Sequence, residues 1–481
     1  MSQPKLQAVR NPRTGQVDYS FEVAAADAVA REAARLRAGQ PAWESGGLAV
    51  RVAVLRRFVA ALADRRKELL EALSVDTGRW RIANVEIDSV AGMVERLAGD
   101  AERLFAPAGD APTGFPGIVA TPQYVAYPLV GVISPWNFPL ILSMIDSVPA
   151  LMAGCSVLLK PSEVTPRFAV PLLRAVADVP ELAAVFGVAC GPGSTGEAVI
   201  ERVDAVAFTG SVRTGRRVAE AAAHRFIPAY LELGGKDPAV VLPSADVERT
   251  AATLLRASVA ATGQACQSLE RIYVHERIHA ALLHALTEGA RRVEFNYPDM
   301  HRGHIGPLIF AQQATTIREH LADAVAKGAH VDCGGEIVEL GGGLYCPATV
   351  LSKVDHTMRV MTEETFGPVM PVMPFRDTDE AVHLANDTVY GLSASVFGAD
   401  RAEAEAVARR INAGAVAIND GSVTAMVHDV EHDAFAFSGL GRSRMGPAGI
   451  GRYVRRKGIF VNQGCALDLA AYGEGAPQHA G

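Results

Sequence analysis

Cys266 lies in Thr262-Gly263-Gln264-Ala265-Cys266-Gln267-Ser268, a polar, glycine-containing turn between a helix and a strand starting near Glu270. A thiol in such a turn reads either as a nucleophile or as a packed residue, whereas Cys155 in its apolar run reads as core. Glu232 closes a short apolar run before Leu233-Gly234-Gly235-Lys236. Burial there would raise its pKa and suit it to general-base work; otherwise it caps the following turn. Asn137, in Pro135-Trp136-Asn137-Phe138-Pro139, sits between prolines that fix the backbone, so its amide either faces a ligand or caps a helix.

A second group of residues could hold phosphate and ribose. Ala205 to Phe208 followed by Thr209-Gly210-Ser211 and Gly215 reads as strand, turn and helix start, where backbone N–H groups face an anion. Lys160-Pro161-Ser162-Glu163 follows a strand ending at Leu159 and could take ribose hydroxyls, or form a solvated ion pair. Gly191-Pro192-Gly193-Ser194-Thr195-Gly196 matches a dinucleotide fingerprint by letter, yet its proline equally makes a plain loop.

Positioning these residues requires a layered α/β framework. From Ala24 to Leu104, apolar residues recur at helical spacing, as in Val52, Leu55, Phe58, Val59 and Leu62. Residues 107–121 turn rich in Pro, Gly and Ala, and Tyr124 to Ile133 alternates like a strand. Short apolar runs at Ser156–Leu159, Val185–Ala189, Ala205–Phe208 and Ala229–Leu231 alternate with helical stretches, and a second rhythm has strands at Ala239–Leu242, Arg271–Val274, Val369–Pro374 and Ala415–Asn419. Both predict parallel sheets with crossover helices.

The chain has 481 residues, 49% hydrophobic and 21% charged, with a net charge of −7. That length calls for two or three domains, and the modest charge gives no reason to expect nucleic acid. Met1 to Gln16 is polar without an apolar core, so no secretory signal is expected and the reading is cytoplasmic. Phe138 to Leu159 is broken by Asp146, Pro149 and Gly154, and reads as a buried helix plus strand instead of a membrane span. Six scattered cysteines show neither CxxC pairs nor metal spacing, so neither disulfides nor a metal site is expected.

Taken in order, Pro135-Trp136-Asn137-Phe138-Pro139, Lys160-Pro161-Ser162-Glu163, Phe208-Thr209-Gly210-Ser211 with Gly215, Glu232-Leu233-Gly234-Gly235-Lys236, Gly263-Gln264-Ala265-Cys266 and Glu363-Glu364-Thr365-Phe366-Gly367-Pro368-Val369 resemble the aldehyde dehydrogenase superfamily. The resemblance implies a Rossmann-like NAD-binding domain (1–107 and 127–234), an α/β catalytic domain (235–435) and a small β oligomerisation arm (108–126 and 455–470), assembled as a homodimer or homotetramer. It implies Cys266 as nucleophile, Asn137 as oxyanion donor and Glu232 as the base for a deacylating water. Ile133, Ser134, Pro135, Trp136, Lys160, Glu163, Gly193, Phe208, Thr209, Gly210, Ser211, Gly215, Leu233, Gln313, Glu364 and Phe366 match its cofactor contacts, Gln313 by spacing only. A carboxylate at Glu163 accepts a ribose 2′-hydroxyl and repels a 2′-phosphate, favouring NAD over NADP.

Two departures stand out. The lysine many members carry nine residues after the asparagine is Asp146 here, and a C-terminal glutamate is replaced by Arg444, which predicts an inverted ion pair beneath the site. Phe138, Leu142, Ile145, Gly421 and Phe437 are expected to line an apolar tunnel for an aliphatic or aromatic aldehyde. A coenzyme-A-acylating enzyme would generally lack Glu232, a silent structural protein would not need the set intact, and a thiol hydrolase would need a histidine partner for Cys266.

Overall fold

The apolar runs at Leu129–Ile133, Ser156–Lys160 and Ala205–Thr209 are buried at every residue, as strands covered on both faces must be. In the computed structural model, which describes residues 5–464 and 469–474 with no side-chain placement for residue 471, they pair in parallel. Phe186–Val188 and Ala229–Glu232 extend the sheet on either side, and Gly439–Leu440 adds an antiparallel sixth strand.

The order across this sheet is Gly439–Leu440, Ala229–Glu232, Ala205–Thr209, Leu129–Ile133, Ser156–Lys160, Phe186–Val188. Starting at Leu129–Ile133, the chain adds strands to one side and then returns to add strands on the other. The reversal leaves a crevice beyond the carboxyl ends of Leu129–Ile133 and Ala205–Thr209, where open α/β sheets take ligands. Beyond those ends come Pro135-Trp136-Asn137 and Gly210-Ser211.

A second sheet has seven strands: His330–Cys333, Thr349–Ser352, Val369–Phe375, Leu269–His275, Asp237–Val241, Ser393–Phe397 and Ala415–Ile418, parallel except for His330–Cys333 at its edge. The third sheet pairs Val454–Asn462 with Ile118–Ala126 and Ala111–Pro112. Its outer strand exposes Ile459, Phe460 and Val461. Residues 465–468, which include Cys465 and part of the expected arm, and the tail 475–481 lie outside the described residues.

One expectation is corrected. Tyr124 to Ile133 is not one strand: Tyr127 and Pro128 separate Ile118–Ala126 in the third sheet from Leu129–Ile133 in the first. Proline lacks the N–H that a continuous ladder needs there. Four helices, Ala26–Ser45, Gly47–Asp64, Arg66–Thr77 and Trp80–Leu104, make up the expected helical layer. The last buries Ala83, Ile87, Val90, Val94, Leu97 and Ala101, a stripe of helical period. The hairpin of Leu6–Arg10 with Val17–Glu22 was not anticipated, although Val17-Asp18-Tyr19-Ser20-Phe21-Glu22 alternates apolar and polar residues as a strand does.

Candidate active site

Cys266 follows a tight turn in which Ala261, Thr262 and Gly263 all take left-handed φ values of 54°, 62° and 65°. Only glycine adopts this region without strain, so the turn persists because its partners fix it. The Thr262 hydroxyl donates to the Gly306 carbonyl and accepts from the Gly306 N–H, both at 3.1 Å. The buried Gln264 amide donates to the Pro307 carbonyl at 3.2 Å and accepts from the Ile309 N–H at 2.9 Å. A Cβ on Gly263 would stand 2.3 Å from the Gly367 carbonyl carbon, so only glycine fits.

Asn137 arrives from the end of Leu129–Ile133 and is buried. Its Nδ2 donates to the Gln264 carbonyl at 3.0 Å, which brings the amide to the turn two residues before Cys266. Arg79, 4% exposed, ties both together: its Nη1 donates to the Ala261 carbonyl at 3.1 Å and its Nη2 to the Asn137 carbonyl. Burial lowers its pKa to about 10, which leaves it charged near neutrality. Nothing in the sequence marked Arg79, since the groups it joins are 58 and 182 residues away.

Glu232 ends the strand Ala229–Glu232, with its side chain 20% exposed and its Oε1 3.5 Å from Arg444 Nε. Its ion-pair partner is the buried guanidinium of Arg444. Arg444 also approaches Asp146 at 3.6 Å and donates to the Thr209 hydroxyl at 2.5 Å. The expected Asp146–Arg444 pair is present, and a second arginine, Arg452, bonds the other Asp146 oxygen. Arg452 is in turn flanked by the rings of Tyr230 and Tyr453.

The thiol itself is not pre-activated. Burial pushes Cys266 up to about 12; Arg444 opposes this, while Asp237, Glu364 and Glu232 add to it.

The matched cofactor residues gather around the crevice. Phe208 and Thr209 close their strand, Gly210 donates to the Glu232 carbonyl at 3.1 Å, and Ser211 caps the helix Val212–His224 by accepting from the Thr214 N–H. Gly215 packs on Leu233, where a Cβ would lie 2.5 Å from its side chain. Gly193 opens the helix Gly193–Ile200, so the proline-containing segment is a helix start, and a Cβ there would meet open space. Lys160 follows the buried Ile133 and Ser134 across the sheet, and pairs with Glu163 at 2.8 Å.

Half-buried Pro135 leads into Trp136, whose ring lies 5.3 Å from that of Phe366 at a steep angle. The Glu364 carboxylate accepts from the Gly235 N–H at 3.3 Å, and burial pushes it up to about 8. A buried ion pair not anticipated from the sequence supports this segment. Lys236 meets Glu270 at 2.7 Å, and Glu270 accepts the Thr365 and Phe366 N–H groups at 2.7 and 2.8 Å. The Gln313 amide donates to the Thr365 carbonyl at 2.6 Å and props the same segment.

Of the expected tunnel residues, Phe138 lies beneath Arg79, Leu142 is half-buried and Ile145 belongs to the core, next to Asp146. Gly421 is packed against Ala257 and Leu269, and Phe437 is stacked under Arg216. Ser438, directly after Phe437, docks beside Glu232: Leu233 donates to the Ser438 carbonyl at 2.8 Å, and the Ser438 hydroxyl to the Gly234 carbonyl at 2.8 Å.

A switch-point α/β sheet beside a polar thiol loop, an amide and a carboxylate defines an oxidoreductase-type architecture. Comparison with known proteins gives the family. The chain belongs to the aldehyde dehydrogenase family, whose model matches residues 1–459. The structure named Putative Aldehyde Dehydrogenase PutA, from Anabaena variabilis, is 51% identical with a TM-score of 0.95, covering 97% of this chain and 99% of that one. Lactaldehyde dehydrogenase from Escherichia coli is 31% identical with a TM-score of 0.89, covering 95% and 96%. A Mycobacterium tuberculosis protein named putative succinate-semialdehyde dehydrogenase (NADP(+)) 2 is 36% identical over 462 residues, 95% of this chain and 88% of that protein. The protein is thus an oxidoreductase of the aldehyde dehydrogenase family. No helix among the described residues is long and apolar enough to cross a membrane, and no group of three or more His, Cys, Asp or Glu among them is placed to hold a metal ion.

Proposed function

We propose that this protein oxidises an aldehyde to its carboxylic acid with NAD, through a thioester on Cys266 that is hydrolysed by water activated by Glu232. The observation that carries the reading is the Asn137 amide hydrogen-bonded into the Cys266 loop, with Glu232 linked to the same site by Arg444. Attack by Cys266 on the aldehyde carbon puts negative charge on the aldehyde oxygen. The Asn137 amide and the Cys266 backbone N–H are the donors for it, and removing one such donor costs about 10²–10³ in rate. When bound, the nicotinamide cofactor supplies the two-electron acceptor for the oxidation to thioester. Glu232 then takes a proton from water as the water attacks the acyl carbon, and Cys266 leaves as the thiolate.

The crevice fits a dinucleotide. It lies at the strand-order reversal, the helix Val212–His224 starts there, and Gly193 leaves open space where a side chain would project. Ile133, Ser134, Pro135, Trp136, Phe208, Thr209, Gly210, Ser211, Gly215 and Leu233 would line it, with Lys160 and Glu163 at the adenosine ribose and Glu364 and Phe366 at the nicotinamide end. We assign 1–107 and 127–234 to this domain, 235–435 to catalysis, and 108–126 with 455–470 to an oligomerisation arm in a homodimer or homotetramer. The name of the mycobacterial relative carries NADP(+), whereas Glu163 disfavours a 2′-phosphate, so NAD remains the expected cofactor. The segment 423–437 exposes Met426, Val430, Phe435 and Phe437, which supports an aliphatic or aromatic aldehyde with Phe138 and Leu142 deeper in.

Glu232→Gln decides the question. It should release about one NADH per subunit and then stall, because acylation outlives the lost base, while Cys266→Ala binds NAD and makes no NADH. Steady turnover of Glu232→Gln at the parent rate removes Glu232 as the base, NADH formation by Cys266→Ala removes the thioester, and a faster reaction with NADP reverses the cofactor assignment.

A further inference from the structure

Arg444 is 7% exposed and its position is fixed from two sides. Its Nη2 donates to Thr209 at 2.5 Å and stands 3.6 Å from Asp146, whose other oxygen is held by the buried Arg452. Asp146 lies on the helix Ile141–Ala153, Thr209 ends a central strand, and Arg452 is braced by Tyr230 and Tyr453, so neither anchor of Arg444 is a mobile surface group. Its Nε is buried and makes no hydrogen bond, yet it faces the Glu232 carboxylate at 3.5 Å. A guanidinium whose Nη2 is engaged and whose buried Nε points at the base holds that base without locking it. The buried charges balance as two arginines against Asp146 and Glu232.

Among the charged groups that bear most on Cys266, Asp237, Glu364 and Glu232 disfavour the thiolate and Arg444 favours it. A buried charge without a counterion is costly, so a guanidinium kept here needs a partner through the cycle.

Building on the thioester reading above, we propose that Arg444 is a positioning residue for the deacylating base: pinned by Thr209 and Asp146, it presents its Nε–H to Glu232. Deacylation depends on its geometry.

Arg444→Met and Arg444→Lys test this. With aldehyde and NAD, both should keep a burst of NADH near one per subunit, followed by steady turnover at least about tenfold below the parent, because lysine restores charge without the fork. Should Arg444→Met fail to fold, Arg444→Lys carries the test, and parent-like turnover in it overturns the proposal. A burst far below one NADH per subunit in both folded variants also overturns it, since a structural role alone would disturb acylation as well as deacylation. If Cys266→Ala still makes NADH, the thioester reading falls; if that reading stands and Arg444→Met behaves as the parent, this inference alone falls.

Discussion

Cys266 should be a slow thiol until the site is occupied, and its pH profile is the sharpest consequence of its surroundings. An unperturbed thiol titrates near about 8.5, so about a quarter of it is thiolate at pH 8. At about 12, Cys266 is thiolate in roughly one molecule in ten thousand at that pH, so its alkylation should run about three orders of magnitude below that of a free cysteine. The rate should climb about tenfold per pH unit from 7 to 10 without levelling off. Iodoacetamide labelling of the unliganded protein, followed by peptide mass mapping, reads Cys266 apart from Cys155 and Cys346, which are sealed in the core, and from Cys190, which burial pushes up to about 11. A plateau below pH 9 would refute the reasoning, because it would mean that one cation outweighs burial and three carboxylates.

Asn137→Ala should slow NADH formation by about 10²–10³ while leaving the alkylation rate of Cys266 within about twofold, since the amide is a donor to the oxyanion and not among the charges acting on the sulfur. Glu364 has its folded pKa raised to about 8, so the folded state holds a proton that the unfolded chain releases above about 4.5. Its contribution is full below about 4.5 and is lost as the pH rises towards 8, and Glu364→Gln should flatten that part of the fall in Tm of the unliganded protein; an unchanged slope denies the shift. Gly263→Ala places a Cβ 2.3 Å from a backbone carbonyl carbon at φ +65°, and should destabilise by about 2–4 kcal/mol with loss of activity. Unfolding as in the parent would show that the turn is not pinned.

What the sequence disclosed and what it withheld divide along a physical line. Parallel strands buried on both faces leave continuous apolar runs, so Ser156–Lys160 and Ala205–Thr209 were visible, and the groups at their ends could be proposed as a site. Polar groups fixed by long-range partners leave no such trace. Arg79, Arg452, Lys236 and Glu270 read as ordinary charged residues until the fold places them beside groups 34 to 306 positions away. Asp146 and Arg444 were recoverable only because they depart from a pattern, and even then Arg452 and the contact to Glu232 stayed hidden.

These buried charges share one task, which explains why so many are tolerated. Each supports a segment or side chain with a proposed role: Arg79 the turns of Asn137 and Cys266, Glu270 the N–H groups of Thr365 and Phe366, and Arg444 the carboxylate of Glu232. Burying such ions adds little stability against an apolar filling, but removing one partner strands the other at a cost of about 3–5 kcal/mol. Three consecutive left-handed residues before Cys266 are strained in isolation and persist only where such partners over-determine them. The charges therefore fix geometry at the expense of stability, and substituting Arg79 or Lys236 should damage the placement of Cys266 or Phe366 without either residue touching substrate.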